Sequence, residues 1–123
     1  MIKPETLLHP TPAGLYCPPG DFYIDPVRPV ARAVITHGHA DHARSGHGAV
    51  LATAETLAIM QARYGAEFAG ETQALGYGAP ILHKGVEIEL HPAGHILGSA
   101  QVILDFQDNG KKFRWLFTGD IGR

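Results

Sequence analysis

The sequence contains a single cysteine, Cys17, among its 123 residues. One cysteine excludes an internal disulfide framework, which fits a protein of the reducing cytoplasm. The chain also lacks any run of about 18 apolar residues, so no segment is expected to span a membrane. Its first residues lack the charged and then apolar pattern of a secretory signal. We therefore expect a cytoplasmic protein with no membrane partner.

Basic residues are not in excess either. Ten Lys and Arg residues face twelve Asp and Glu residues, for a formal charge of −2. Nucleic-acid-binding proteins usually have a basic surface, and the bulk charge gives no such support here. Bound metal ions would add positive charge that composition does not count. Apolar residues make up 45% of the chain, which suits an ordinary soluble core. At 123 residues, the chain is long enough for one domain at most.

Four side chains that can bind metal occur within six residues, His37-Gly38-His39-Ala40-Asp41-His42, directly after the apolar run Ala33 to Ile35. In an extended chain, residues two apart point to the same side, so His37 and His39 can hold one ion together. Asp41 and His42 follow after the loop has turned and would face a second position. A histidine tag would be a terminal run, whereas this motif is internal and mixed.

Two further candidates, His95 and Asp120, each follow a glycine next to a predicted strand. Six candidate ligands are too many for one tetrahedral ion, which takes about four. The number therefore favours two metals about 3.5–4 Å apart, an arrangement typical of phosphate-ester hydrolysis. Imidazole and carboxylate ligands indicate zinc, with manganese or iron as alternatives.

The chain is predicted to alternate short strands with loops. Strict alternation over Val86 to Leu90 indicates a half-buried strand, and Thr53 is a suitable N-cap for a helix through about Arg63. Asp108-Asn109-Gly110 predicts a hairpin turn. Residues 1–21 are expected to be irregular apart from a short strand near Leu15. The other predicted strands are 22–24, 31–36, 50–52, 100–106 and 112–118.

The His-x-His-x-Asp-His hexamer, followed by Gly94-His95 and Gly119-Asp120, resembles the metallo-β-lactamase fold. The flanks Ala93 to Ala100 and Thr118 to Arg123 resemble its nucleic-acid-processing β-CASP branch. The stretch Gly14 to Pro26 resembles the DNA-ligase-associated exonucleases, which are also described as mRNA 3′-end processing factors. The resemblance implies an α/β (α+β) fold, a four-layer αββα sandwich of mixed and antiparallel sheets with flanking helices. That fold takes more than 200 residues, so residues 1–123 are expected to be the N-terminal half of one domain, with no second domain.

The resemblance also implies roles for individual residues. His37, His39 and His95 would bind the first metal, Asp41 and His42 the second, and Asp120 would bridge them. Asp41 and Asp120 would thus belong to the catalytic centre. Asp25 matches a motif that orients the metal loop from outside, although a turn-capping aspartate before Pro26 is an equal alternative. Arg44 and His47 are candidates for substrate binding.

The function implied is that of a two-zinc phosphodiester hydrolase acting on nucleic acid, in particular a DNA exonuclease. Alternatives are an RNA 3′-end processing nuclease, a hydrolase of esters, thioesters or lactams, and an inactive metal-binding half-domain, because the later histidines of the family fall outside these residues. The resemblance implies association with a DNA ligase or helicase. An uncovered sheet would favour self-association.

Overall fold

A computed structural model describes residues 8–40, 42–93, 99–108 and 110–117. Ten strands and one α-helix lie in these ranges. In chain order the elements are β1 His9–Thr11, β2 Gly14–Cys17, β3 Phe22–Ile24, β4 Arg32–Val34, β5 His47–Ala52, α1 Ala54–Tyr64, β6 Ala69–Ala74, β7 Ile81–His83, β8 Val86–Pro92, β9 Ala100–Asp108 and β10 Lys111–Phe117.

The strands form two sheets. The first has six strands in the order β1-β2-β3-β4-β5-β6, in which β3 to β6 run parallel, and the second has four antiparallel strands in the order β10-β9-β8-β7. Alternate apolar side chains of both sheets pack between them, including Phe22, Ile24, Val34, Leu90 and Leu104. Their burial is the main force holding the two layers together.

The helix α1 forms a third layer on the other face of the six-stranded sheet. Met60 is fully buried there among a cluster that includes Ile35, Val50 and Phe68. As predicted, Thr53 caps the helix, since its side chain accepts a hydrogen bond from the Thr56 N–H at 3.2 Å. Gly65 ends it at a φ of +95°, a backbone conformation that favours glycine.

Three strands were not predicted, namely β1, β6 and β7. The expectation of a single strand before residue 21 was wrong, because β1 pairs with β2 at the start of the six-stranded sheet. β6 has the sequence Ala-Gly-Glu-Thr-Gln-Ala and is exposed along almost its whole length. As an edge strand it is defined by hydrogen bonds to β5 rather than by an apolar face, so it has no alternating pattern to detect.

The lone cysteine packs as an apolar residue. Cys17 is fully buried between the sheets, and burial raises the pKa of its thiol to about 11. The thiol therefore stays protonated at neutral pH, which makes it a poor nucleophile. Within the described residues, no helix has the length and apolarity to cross a bilayer.

We expect Thr53→Ala to lower the free energy of unfolding by about 1 kcal/mol, because the Thr56 N–H loses its buried acceptor. Thr53→Ser keeps the hydroxyl and should retain most of the stability. Urea denaturation of the full-length protein measures both. Equal stability of the alanine and serine variants would show that the cap contributes nothing.

Candidate metal site

Several chain segments meet at one edge of the sandwich. β3 and β4 are parallel, so Asp25 after β3 and Thr36 after β4 leave the sheet on the same side. The second sheet reaches the same edge, because the Ala100 N–H at the start of β9 donates to the Thr36 carbonyl at 2.7 Å. The last residue of β10, Phe117, pairs with Val102 near that end. Both sheets thus contribute to this edge.

Asp25 is the centre of a hydrogen-bond network at this edge. Its Oδ1 accepts the Thr36 N–H at 2.8 Å, and its Oδ2 accepts the Thr36 hydroxyl at 2.6 Å. The same Oδ2 lies 2.8 Å from Nδ1 of His42, and the carboxylate is 7% exposed. Asp25 has a φ of +47°, which aspartate tolerates better than most residues. Both carboxylate oxygens are therefore occupied in holding other residues.

This network determines which nitrogen of each imidazole carries a proton. An ionised carboxylate only accepts, so Nδ1 of His42 must donate to Asp25. The single proton of the Thr36 hydroxyl goes to Asp25, so the hydroxyl accepts from Nδ1 of His37, 2.9 Å away. In both rings the lone pair is then on Nε2. A carboxylate that fixes the tautomer of a histidine in this way is typical of metal sites.

The histidine side chains of the hexamer are close together. The ring centroid of His37 lies 4.1 Å from that of His42 and 5.0 Å from that of His39. One potential ligand atom from each of Asp25, His37 and His42 lies within 4.8 Å of the other two. Both oxygens of Asp25 and the Nδ1 atoms of the two rings already take part in hydrogen bonds, so the Nε2 atoms of His37 and His42 are the positions suited to an ion.

The loop that carries these histidines is anchored to the helix. The backbone N–H of Ala43 donates to the carbonyl of His39 at 2.8 Å. The Arg63 guanidinium donates to the Gly38 carbonyl at 2.6 Å. A Cβ at Gly38 would lie 2.7 Å from the side chain of Ile59, so only glycine allows this close approach.

The structure describes only some of the other predicted site residues. Asp41, His95 and Asp120 lie outside the described residues, so their assignment as ligands stays a prediction. Arg44 is exposed on the loop after His42. Asp25 was predicted to orient the loop. It accepts hydrogen bonds from Thr36 and His42, and the orienting role stays a prediction.

His47 is not brought to this edge. It begins β5, at the opposite end of the parallel strands. Because β5 is six extended residues long, His47 lies about 20 Å from the edge that carries the hexamer. Its ring is 2% exposed, and Nδ1 accepts the Val30 N–H at 3.2 Å. Burial lowers the pKa of this imidazole. These contacts give His47 a structural role at the far edge.

Sequence reasoning did not single out Thr36, which joins Asp25 to His37. Its only signal was its position between the apolar strand and the first histidine. The hydroxyl becomes informative only when the Asp25 carboxylate is placed beside it by the pairing of β3 with β4.

One curated relative is a protein named as a probable DNA ligase from Opitutus terrae, 36% identical over 108 residues. The match covers 88% of this chain and 10% of that protein, so the chain spans about a tenth of the relative's length. No model of a known protein family matches the chain.

Solved structures with the same fold include two metallo-β-lactamases. The native FEZ-1 enzyme from Legionella gormanii aligns with a TM-score of 0.57 at 16% identity, over 94% of this chain and 57% of that one. BJP-1, a subclass B3 enzyme of Bradyrhizobium japonicum, aligns with a TM-score of 0.57 at 15% identity, over 89% and 53%. The chain thus has the metallo-β-lactamase fold and spans just over half the length of these enzymes. The grouping of Asp25, His37 and His42 makes this edge of the fold a candidate metal site.

We expect Asp25→Asn to lower zinc affinity about 10- to 100-fold, because an amide has one acceptor oxygen and cannot accept all three hydrogen bonds that reach the two oxygens of Asp25. Asparagine tolerates positive φ, so the backbone should be retained. Competition with a chromophoric chelator measures the affinity. Asp21→Asn is the matched control, since Asp21 also has positive φ but contacts only exposed partners, Tyr16 and Lys84. Unchanged affinity in Asp25→Asn would contradict the orienting role.

His47 should make stability depend on pH. Its pKa is lowered in the folded protein, so below the ordinary value near 6.5 the unfolded chain binds a proton that the folded chain does not. Stability is therefore complete above pH 6.5 and falls as pH falls, until the lowered folded pKa is passed. The contribution to the slope is at most about 1.4 kcal/mol per pH unit.

The measurement is urea denaturation between pH 5 and 7.5. His47→Phe should flatten the slope relative to the wild type. An identical slope in wild type and His47→Phe would show that His47 is not the group responsible.

Proposed function

We propose that this chain, which has the metallo-β-lactamase fold, belongs to a metal-dependent phosphodiester hydrolase that acts on nucleic acid in the cytoplasm, in particular a DNA exonuclease. The observation that carries the proposal is the network in which Asp25 orients His42 directly and His37 through Thr36. A buried carboxylate whose hydrogen bonds align two imidazoles is hard to explain by folding alone.

The donor set suits zinc. His37, His39 and His42 would hold the metals, joined by Asp41, His95 and Asp120 as predicted from the sequence. When bound, two divalent ions at such a site supply Lewis acidity, which lowers the pKa of water and neutralises charge on a phosphate. Manganese or iron would use the same ligands.

The chain's own residues hold this site rigid. Asp25 keeps the imidazoles in the tautomer suited to ligation, and Arg63 and Gly38 hold the loop against α1. Arg44, exposed after the last histidine of the hexamer, would contact a substrate phosphate. We do not assign substrate binding to His47, because it lies at the other end of the parallel strands.

The choice of nucleic acid rests on similarity. The segments Ala93 to Ala100 and Thr118 to Arg123 resemble nucleic-acid-processing members of this fold, and the relative from Opitutus terrae is named as a probable DNA ligase. A nuclease that trims ends before ligation would fit that likeness, so we propose a DNA ligase or helicase as a functional partner.

Self-association stays a prediction. On the outer face of the four-stranded sheet, Leu82 is 71% exposed and Leu116 is 51% exposed. Exposed apolar side chains of this kind favour contact with another surface.

We expect the full-length protein to cleave labelled single-stranded DNA, and to lose at least about 100-fold of that activity after chelation or in His37→Ala and Asp120→Ala. Gel analysis of end-labelled products measures cleavage. His9→Ala is the matched control because it removes an imidazole from β1, outside the network. Cleavage that survives both metal stripping and Asp120→Ala would refute the proposal.

Parallel assays separate the other hydrolase classes. Labelled RNA tests the 3′-end processing alternative, and nitrocefin and a thioester test hydrolysis at carbon. Turnover of nitrocefin or the thioester without turnover of any nucleic acid would replace the proposed function with one of these.

A further inference from the structure

Tyr77 is an exposed aromatic residue that none of the roles above explains. It lies in the connection between β6 and β7, between Gly76 and Gly78, and is 42% exposed. A Cβ added at either glycine would meet open space. Tyr77 is therefore open to solvent on part of its surface, and the two flanking glycines add no side chain that would cover it.

This ring is tied to the edge that carries the metal site. The Tyr77 hydroxyl donates to the Ser99 carbonyl at 2.7 Å, and the next residue, Ala100, donates its N–H to the Thr36 carbonyl at 2.7 Å. Two hydrogen bonds and one peptide unit place the Tyr77 oxygen within about 8 Å of the Thr36 carbonyl. Thr36 is the residue that links Asp25 to His37.

Tyr77 is held in place at both ends. Its backbone forms a parallel bridge with Leu90, and the Gly78 N–H donates to the Leu90 carbonyl at 2.8 Å. Ser99, which accepts from the hydroxyl, is itself 2% exposed. Burial and the nearby carboxylate of Glu55 raise the pKa of the phenol, so the ring is neutral at physiological pH. A neutral, fixed and exposed ring is the kind of surface on which a nucleobase stacks.

We propose that Tyr77 is the platform on which an unpaired base of the substrate stacks while the neighbouring phosphate lies at the metal site. This inference rests on the proposed function and narrows its substrate to nucleic acid with unpaired bases at the reacting end. Every base has a stacking face, so the contact would be tolerant of sequence. Duplex ends would have to fray before they reach the ring.

Two variants separate the ring from its hydroxyl. Tyr77→Leu removes the aromatic face, and Tyr77→Phe keeps it while removing the bond to Ser99. Each is assayed in the full-length protein on a single-stranded oligonucleotide and on the same strand with abasic residues at its last two positions. Thermal melting of each variant reports on folding.

Loss of a base–aromatic stack corresponds to about 5- to 150-fold in affinity. We expect Tyr77→Leu to raise KM for the intact strand by at least about 5-fold and to leave KM for the abasic strand unchanged. Tyr77→Phe should stay within about 2-fold of wild type on both. In the wild type, the abasic strand should show the same loss as Tyr77→Leu does on the intact strand.

Other results would overturn the inference. Equal losses in the leucine and phenylalanine variants would assign the effect to the hydroxyl and its anchoring of the loop. Equal losses on intact and abasic strands would indicate general disruption, and no loss in Tyr77→Leu would exclude stacking. An active wild type with any of these results refutes only the role of Tyr77, whereas a wild type inactive on every nucleic acid refutes the proposed function as well.

Discussion

The arrangement of the candidate metal site depends on the carboxylate of Asp25. Three hydrogen bonds from Thr36 and His42 converge on it, and they align two imidazoles that are five residues apart along the chain. A buried carboxylate is costly unless it is fully bonded, so this one is stable only while the metal loop is folded against it. The loop and the carboxylate therefore stabilise each other before any ion is bound.

That mutual support follows from strand order. Because β3, β4 and β5 are parallel and adjacent, the segments after them emerge at one edge of the sheet. The antiparallel sheet reaches the same edge through the start of β9, which is bonded to Thr36. A site of this kind is assembled from residues distant in sequence by backbone pairing, while the apolar side chains between the sheets hold the two layers together.

The strands and the helix that could be predicted from the sequence are those with buried apolar side chains. Strands β3, β8, β9 and β10 and the helix α1 have one face toward the core, which leaves an alternating or helical apolar pattern. Strand β4 is buried on both faces, because Ala33 and Val34 belong to the two different core clusters, and it has a continuous apolar run. β1 and β6 lack these patterns because they lie at the edges of the first sheet, where backbone hydrogen bonds to one neighbour define the strand. The predicted strand 50–52 was too short by three residues at its start, since β5 begins at His47.

The sequence by itself determined the chemistry of the candidate ligands, because imidazole and carboxylate groups at this density have few other uses. Only the tertiary structure decided which of them act together. It placed Thr36 between Asp25 and His37, put His47 at the far end of the strands, and tied Tyr77 to the metal edge. These relations depend on which strands pair and in which direction, and no local pattern in the chain encodes the distance between residues that the fold brings together.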